Sequence, residues 1–591
     1  LRPLAICFSL SLTLALAQAP LHETVVVTGT AEPLALDEID RAVMVLPVRD
    51  QALVANTLVD FLRLDPSLDL EERAPNGVQS DLSIRGADFG QTLVLLNGMR
   101  LNDAQSGHHN MDIPVPLEAI SRVEVLRGSG STLYGSDAVG GVINVITQPP
   151  EAQEVRLRTA AGNFGVNQER GSIGEVFGKL SEQLTFSRDF SSGFRPDRDY
   201  RNLSLASVTH LDSGWGPSDM ILAYADKPFG ADQFYGNFNS WENTKTWFAS
   251  LQQALGPDTS ASFSFRRHSD LFVLYRDNPD YFTNHHSDET WQLSLRRSDA
   301  LFRGGSLHYG VEGYHDSILS TNLGDHNRYR GAGYVSLDFR ALHRFSLSIG
   351  AREEVYRSVA GAFSPTVAGG VWLSSRLKLR ASASRAFRVP SYTDLYYHDP
   401  ANLGSPNLRP ESAWNYEGGL EWNPAGRVRA DLTVFHRRVK DGIDYIRYSP
   451  TDIWRATNIA NLHFTGAEAG LSFLPRRGQQ IELRYTGLHG TQDAVPGIYS
   501  KYVFNYPTHA AVASWMAGLP AGMLLRTRLG VLDRRARDPY ALWDLYLAET
   551  RGRIHPFLQL TNLANVSYQE ILGVPMPGRA VVGGFELVVL K

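Results

Sequence analysis

Two adjacent histidines, His108 and His109, lie in NDAQSGHHNMDIPVP, where His, Asn, Gln, Asp and Ser stand side by side. Such a run gathers many hydrogen-bond donors and acceptors, which suits the rim of a polar ligand site. On an extended chain neighbouring side chains point to opposite sides, so the pair is a poor joint ligand set for one metal ion. Covalent chemistry finds no comparable foothold. Gly128-Ser129-Gly130 lacks the lysine and the strand, loop and helix of a phosphate loop. The single cysteine, Cys7, falls in the N-terminal leader, so neither a thiol nucleophile nor a disulfide is expected after processing. The chain reads as a binding protein rather than an enzyme.

The elements that must position this loop are short strands punctuated by glycine turns between Ser80 and Thr147. Leu82 and Ile84 precede Arg85-Gly86, and Thr92 to Leu96 closes on Asn97-Gly98, a dipeptide that favours a tight hairpin turn. Arg122 to Gly128 and Val142 to Thr147 read as two more strands. Ahead of them Val54, Leu58, Phe61 and Leu62 recur at helical spacing, with Asn56 as the expected cap of a helix from Thr57 to Asp65. Pro149-Pro150 cannot sit in a ladder and reads as a linker.

From 151 to 591 the texture changes to long strands of period two. Leu377, Leu379, Ala381 and Ala383 alternate with Lys378, Arg380 and Ser382, and Ile481, Leu483 and Tyr485 with Glu482 and Arg484. A soluble sandwich also alternates. Whole charged faces repeated over 441 residues fit a wet lumen better, with strands of about 9 to 11 residues crossing a membrane. No stretch reaches about 18 consecutive apolar residues, so no transmembrane helix is expected. Aromatic residues are plentiful, with 24 Tyr and 10 Trp, as interfacial girdles need. Charge is balanced at 57 basic against 62 acidic residues, which gives no reason to expect nucleic acid. Residues 1–19 have the apolar run and small-residue end of a secretory signal.

RGADFGQTLVLLNGMRL, RVEVLRG and YGSDAVGGVINVIT together resemble the plug of TonB-dependent outer-membrane receptors, most nearly the vitamin B12 receptor group. The resemblance implies an all-β membrane protein: an antiparallel barrel of about 22 strands with an α+β plug in its lumen. It divides the chain into a signal (1–19), a periplasmic tail (20–45), a plug (46–150) and a barrel (151–591). Within the tail Glu23, Thr24, Val25, Val26, Val27 and Thr28 resemble a Ton box, running on to Thr30. With nothing nearby in sequence to pair with, this segment would add a strand to a TonB-type energy-coupling partner.

The same resemblance makes 87–91 and 102–113 apical loops, with Asp88, Phe89, Gln91, Asn102, Asp103, Ser106, His108, His109 and Asn110 as candidate ligand contacts. It makes Arg85, Arg122 and Arg127 candidates for docking onto the barrel wall. Aromatic, Asp/Asn-rich stretches at 228–243, 275–288, 392–407 and 491–505 are the expected outer loops, offering Phe234, Tyr235, Tyr275 and His398. Phe387-Arg388-Val389-Pro390 and Ser405-Pro406-Asn407-Leu408 flank His398 much as in haem receptors, where a barrel and a plug histidine would clamp iron. No resident cofactor is expected. Calcium is the candidate ion, with Asp226, Asp232, Asp277, Asp280 and Asp288 as outer-loop carboxylates but no recognisable ligand spacing. The implied surroundings are the bilayer and lipopolysaccharide of a Gram-negative outer membrane. The implied ligand is a scarce large molecule: cobalamin or a related corrinoid first, haem or a ferric siderophore second. A passive porin and a secreted β-rich binding module are the readings of other classes. The family usually ends in an aromatic residue, whereas this chain ends Val589-Leu590-Lys591.

Overall fold

The computed structural model describes residues 25–30, 32–342, 344–357, 360–424, 426–492, 497–535 and 537–590. The leader, Glu23 and Thr24 lie outside the described residues. Twenty-two antiparallel strands close into a barrel, the first (Glu154–Gly162) pairing with the last (Ala580–Leu590). No described helix is long and apolar enough to cross a membrane; the chain crosses with strands.

The barrel is patterned inside out, as the alternation requires. On Leu377–Arg388, Lys378 and Arg380 are buried in the lumen while Leu379 faces outward. On Thr259–Val273, Ser264, Arg266, His268 and Asp270 form a buried polar stripe and Phe263 faces outward. Outward-facing Leu184, Leu205, Leu222, Leu293, Val311 and Trp543 contribute to the apolar belt. Several strands exceed the expected length; Thr283–Phe302 runs to 20 residues. The outer connections are correspondingly shorter than expected: Pro228 to Asp232 pair with Asn243 to Asn239, leaving only 233–238 as loop, and the next loop ends where Thr283 begins a strand. Asp226, Asp232 and Asp288 are therefore strand residues, not loop carboxylates.

The plug is a five-stranded sheet in the order Val43–Pro47, Ile120–Arg127, Gly141–Thr147, Thr92–Leu96, Met99–Arg100, beside a hairpin of Leu68–Ala74 and Gln79–Ile84. Val43–Pro47 is the sheet's edge, so the plug begins ahead of residue 46. Asn97 and Gly98 both take positive φ, the backbone a two-residue hairpin turn demands. The helix is Leu58–Leu62, shorter than expected. Thr57, not Asn56, caps it, because Asp60 returns the capping-box bond, while Asn56 bonds Asn76 and Gln168. One apolar cluster runs from the plug sheet (Val94, Val123, Ile143) to barrel residues Val208, Ile221 and Phe248, so plug and wall share a core.

Candidate functional site

The apical loops of the plug are built by their own polar side chains. Asp88 caps the turn Phe89–Gln91, accepting from the Gly90 amide. Asn102 accepts from the Val94 amide at 2.7 Å and donates to the Thr92 carbonyl at 3.0 Å. Asn110 accepts from the Asp103 amide and donates to the Phe89 carbonyl, and the Ser106 hydroxyl accepts from the His108 amide. Gln91, Asn102, Ser106 and Asn110 are all buried, so their polar groups hold the plug rather than face a ligand. The histidines sit in a 3-10 turn, Gly107–His109, not on extended chain, and they part company there. His108 is half-buried, bonds Asp81 at 2.8 Å and stacks on Phe89 at 4.2 Å; Tyr502 meets both rings edge-on. Asp88, Phe89 and His108 are the candidate contacts left partly open to the outside.

His109 instead turns into the barrel wall. Its ring lies 4.7 Å from that of His268, on Thr259–Val273, with Nδ1 3.6 Å from Asp112 and Nε2 3.7 Å from Asp270. His268 also reaches Asp103 at 2.9 Å and Asp112 at 3.1 Å. Arg266 bonds Asp103 and Asp288, and Lys227 bonds Asp112 at 3.0 Å. Burial disfavours charge on Asp103 and Asp112, but His268 and Arg266 beside the first and Lys227 beside the second outweigh it. Both carboxyls are held well below the usual range. Composition and spacing did not single out His268, Glu242 or Asp270. The available signal was the period-two polar stripe Ser264, Arg266, His268, Asp270.

At the base, Arg85 forks onto Glu468 (2.6 and 2.8 Å) and reaches Glu417 at 2.8 Å, both on the wall. Arg85 and Gly86 both have positive φ, the turn that aims this guanidinium outward from the plug. Arg127 bridges Asp65 of the plug and Glu468 of the barrel. Arg122 does not reach the wall: two residues along its strand, Glu124 offers a nearer partner at 2.8 Å. The tail is not unpaired either. Val25–Val26 pairs with Leu34–Ala35, and the Val27 and Thr28 amides donate to Glu124 at 2.9 and 2.8 Å. The partner strand Leu34–Ala35 thus follows within ten residues of Val26.

The barrel candidates scatter. Phe234 is buried with Tyr200 and Phe229 in a structural cluster. The Tyr235 hydroxyl donates to Glu242 at 2.7 Å and meets Gln79. Tyr275 packs on Phe238 and Tyr281. His398 is exposed and bonds Asn322 through its backbone, while the plug histidines bond Asp81, Asp112 and Asp270, so the expected histidine clamp is not assembled. Three outer connections combine into an unanticipated four-stranded sheet, Asn402–Leu403, Trp454–Ile459, Gly442–Arg447 and Tyr499–Ser500. Asp444 anchors it through Ser500 and the amides of Tyr502 and Val503. Lys501 lies over Tyr445 and Tyr502, and Arg447 over Trp454 and Tyr499.

Two family models match the chain: the TonB-dependent receptor plug domain over 37–142 and the TonB-dependent receptor-like β-barrel over 175–563. The iron-regulated outer membrane virulence protein of Vibrio cholerae is 27% identical over 531 residues, 80% of this chain and 78% of that one. The vitamin B12 transporter BtuB of Photobacterium profundum is 26% identical over 446 residues, 71% of each chain. Among solved structures, the ferric enterobactin receptor PfeA of Pseudomonas aeruginosa superposes with a TM-score of 0.78 at 15% identity, covering 96% of this chain and all of that one. The FrpB iron transporter of Neisseria meningitidis gives 0.78 at 14%, covering 93% and 100%. These two share the fold.

Proposed function

The chain belongs to the TonB-dependent outer-membrane receptors, and from that premise we propose that it actively imports a scarce large ligand, a corrinoid in the first instance. The observation that carries active import is the plug itself. It shares an apolar core with the wall and is pinned by Arg85 and Arg127, so a ligand passes only if the plug moves. A porin would leave a water-filled lumen. The tail at Val25 to Thr28 is held by a two-residue strand pair, by Glu124 and by the Asn144 side-chain amide, which donates to the Thr28 hydroxyl at 2.9 Å; a TonB-type partner would replace the strand pair by pairing with the same backbone.

Ligand contact is assigned to Phe89, His108 and Tyr502, an aromatic patch flanked by Asp88, which suits a large ligand with both flat and polar surfaces. The corrinoid reading draws on the similarity to the B12 transporters. A ferric siderophore is the second reading, favoured by the cations Lys501 and Arg447 seated on aromatic rings in the outer loops, an arrangement that attracts anionic aromatic ligands. The test is a fluorescence titration of the detergent-purified receptor with cyanocobalamin, hemin and ferric enterobactin in parallel. Saturable corrinoid binding that His108→Ala weakens at least about tenfold supports the first reading. Siderophore binding alone replaces it with the second. Deleting 23–30 should abolish cellular uptake and leave binding intact; uptake that survives the deletion would overturn active import.

A further inference from the structure

Where the plug's apical loop meets the wall, we propose that His109, Glu242 and Asp270 form a binding site for a divalent transition-metal ion of the zinc type. One ligand comes from the plug and two from neighbouring barrel strands, and their donor atoms all lie within 4.8 Å of one another. The 3.7 Å from His109 Nε2 to Asp270 Oδ2 is the spacing of two ligands that each sit about 2.1 Å from a shared ion. All three residues are more than nine-tenths buried.

Two other groupings in the network, Asp103 with His268 and Asp288 and His109 with Asp112 and His268, have similar spacing, but their carboxylates already face Arg266 or Lys227. Asp103 and Asp112 have their charge met by Arg266, Lys227 and His268. Glu242 and Asp270 have no Lys or Arg within ion-pair distance among the described residues; Tyr235 and Gln105 supply only neutral donors. The one cation-capable side chain at ion-pair distance among the described residues is His109 itself, and buried carboxylates without Lys or Arg are costly to keep. Three buried oxygens are left without any partner: Glu242 Oε1, Asp270 Oδ1 and Gln105 Oε1. Asp112 lies 3.6 Å from His109 Nδ1, on the side away from Asp270, where an outer carboxylate orients a metal-bound imidazole. Tyr235 holds Glu242 Oε2 and leaves Oε1 free; Gln105 steadies Asp270 through Oδ2, the oxygen nearest His109 Nε2, whose second lone pair stays available to an ion. Imidazole with carboxylate selects zinc and its first-row neighbours over magnesium or calcium. Occupancy would tie the plug's apical loop to the barrel wall, whichever large ligand the receptor carries.

Zn²⁺ alone is the probe, titrated against a chromophoric chelator into the chelator-stripped full-length receptor in detergent, with Co²⁺ absorption as a second readout. The expected result is one tight equivalent, retained by the exposed-loop variant Asp277→Asn and weakened at least about tenfold in Glu242→Gln and Asp270→Asn. Variants with wild-type β-sheet dichroism that bind as tightly as wild type would overturn the site, as would a wild-type receptor that takes up no equivalent. Should the variants not fold, zinc-edge X-ray absorption on wild type decides: a shell containing one imidazole upholds the assignment, and an all-oxygen shell sinks it. Binding of zinc by a receptor that takes up no corrinoid, haem or siderophore leaves the site standing and removes only the ligand assignment.

Discussion

Replacing Arg85 with alanine isolates the contact that holds the plug against the wall. The guanidinium is 4% exposed, forks onto Glu468, bonds Glu417 and lies 4.3 Å from the centre of the Phe435 ring. Removing one partner of a buried ion pair costs about 3 to 5 kcal/mol, because the other charge stays buried. Here neither carboxylate is abandoned: Arg127 remains 3.2 Å from Glu468, and Arg380 2.7 Å from Glu417. That places the loss at the lower end, about 3 kcal/mol. Plug release can be followed by recording single receptors in planar bilayers under increasing urea, since an emptied lumen conducts. With a denaturant slope of about 1 to 3 kcal/mol per molar, the onset of conductance should fall by roughly 1 to 3 M. Arg122→Ala is the matched comparison. Its partner Glu124 is buried but lies in the same strand and keeps the Val27 and Thr28 amides, so the loss should be about 1 to 3 kcal/mol within the plug and the wall contact should be untouched, with an onset above that of Arg85→Ala. Equal onsets for Arg85→Ala and wild type would refute the view that this ion pair anchors the plug.

Glu124→Ala removes the acceptor of the Val27 and Thr28 amides, at about 1 to 3 kcal/mol; the tail should be cut faster by protease and bind a TonB-type partner more tightly, and unchanged cleavage would count against the tucked tail. Burial pushes Asp444 up to about 6, against the opposing hydrogen bonds of Ser500 and the Val503, Tyr502 and Tyr445 amides. A folded value above the unfolded one near 3.9 means that the docked loop binds the extra proton, so its stability falls as pH rises from about 4 to about 6. Exchange of the Tyr502 and Val503 amides, corrected for intrinsic rate, should be about tenfold slower at pH 5 than at pH 7; a flat profile would remove Asp444 as the titrating group. Gly141→Ala would drive a methyl group into the Leu126 carbonyl and the Ile84 side chain, costing roughly 1 to 3 kcal/mol, which the same urea assay reads as earlier plug release.

The plug was legible because its information is local. Glycine turns such as Asn97-Gly98 and β-branched runs such as Val142 to Thr147 each specify themselves, and the family motifs fall on them. The barrel was legible as alternation, since lumen and lipid demand opposite chemistry at every second residue. Loop boundaries were less so. Residues 228–232 and 239–243 are Asp-, Asn- and Gly-rich, yet they continue a ladder beyond the lipid, where alternation is no longer enforced. The small sheet of Asn402–Leu403, Gly442–Arg447, Trp454–Ile459 and Tyr499–Ser500 escaped notice because its strands are two to six residues long and pair across loops far apart in sequence. Side-chain roles were hardest. The same residue types that would line a ligand site, Asn102, Asn110 and Gln91, serve equally to fasten a loop to itself, and only the fold shows which. His109 could not be separated from His108 without knowing that the chain turns there.

The order of strands in the plug sheet bears on how force travels. The tail joins the plug at Val43, and Val43–Pro47 is an edge strand with a single neighbour, Ile120–Arg127, across five register pairs. A pull on the tail therefore loads the sheet at its margin. Peeling that strand breaks one ladder together with the ties of Asp40 to Lys378 and of the Ala42 amide to Glu417, whereas drawing out the whole plug means breaking the Arg85 and Arg127 bridges and the shared apolar core as well. On the import proposed above, mechanical work entering from the periplasm would meet a graded resistance, first the Asp40 and Ala42 ties and one ladder, then the Arg85 and Arg127 bridges and the core. On that reading the plug would fray along a set path before it slips.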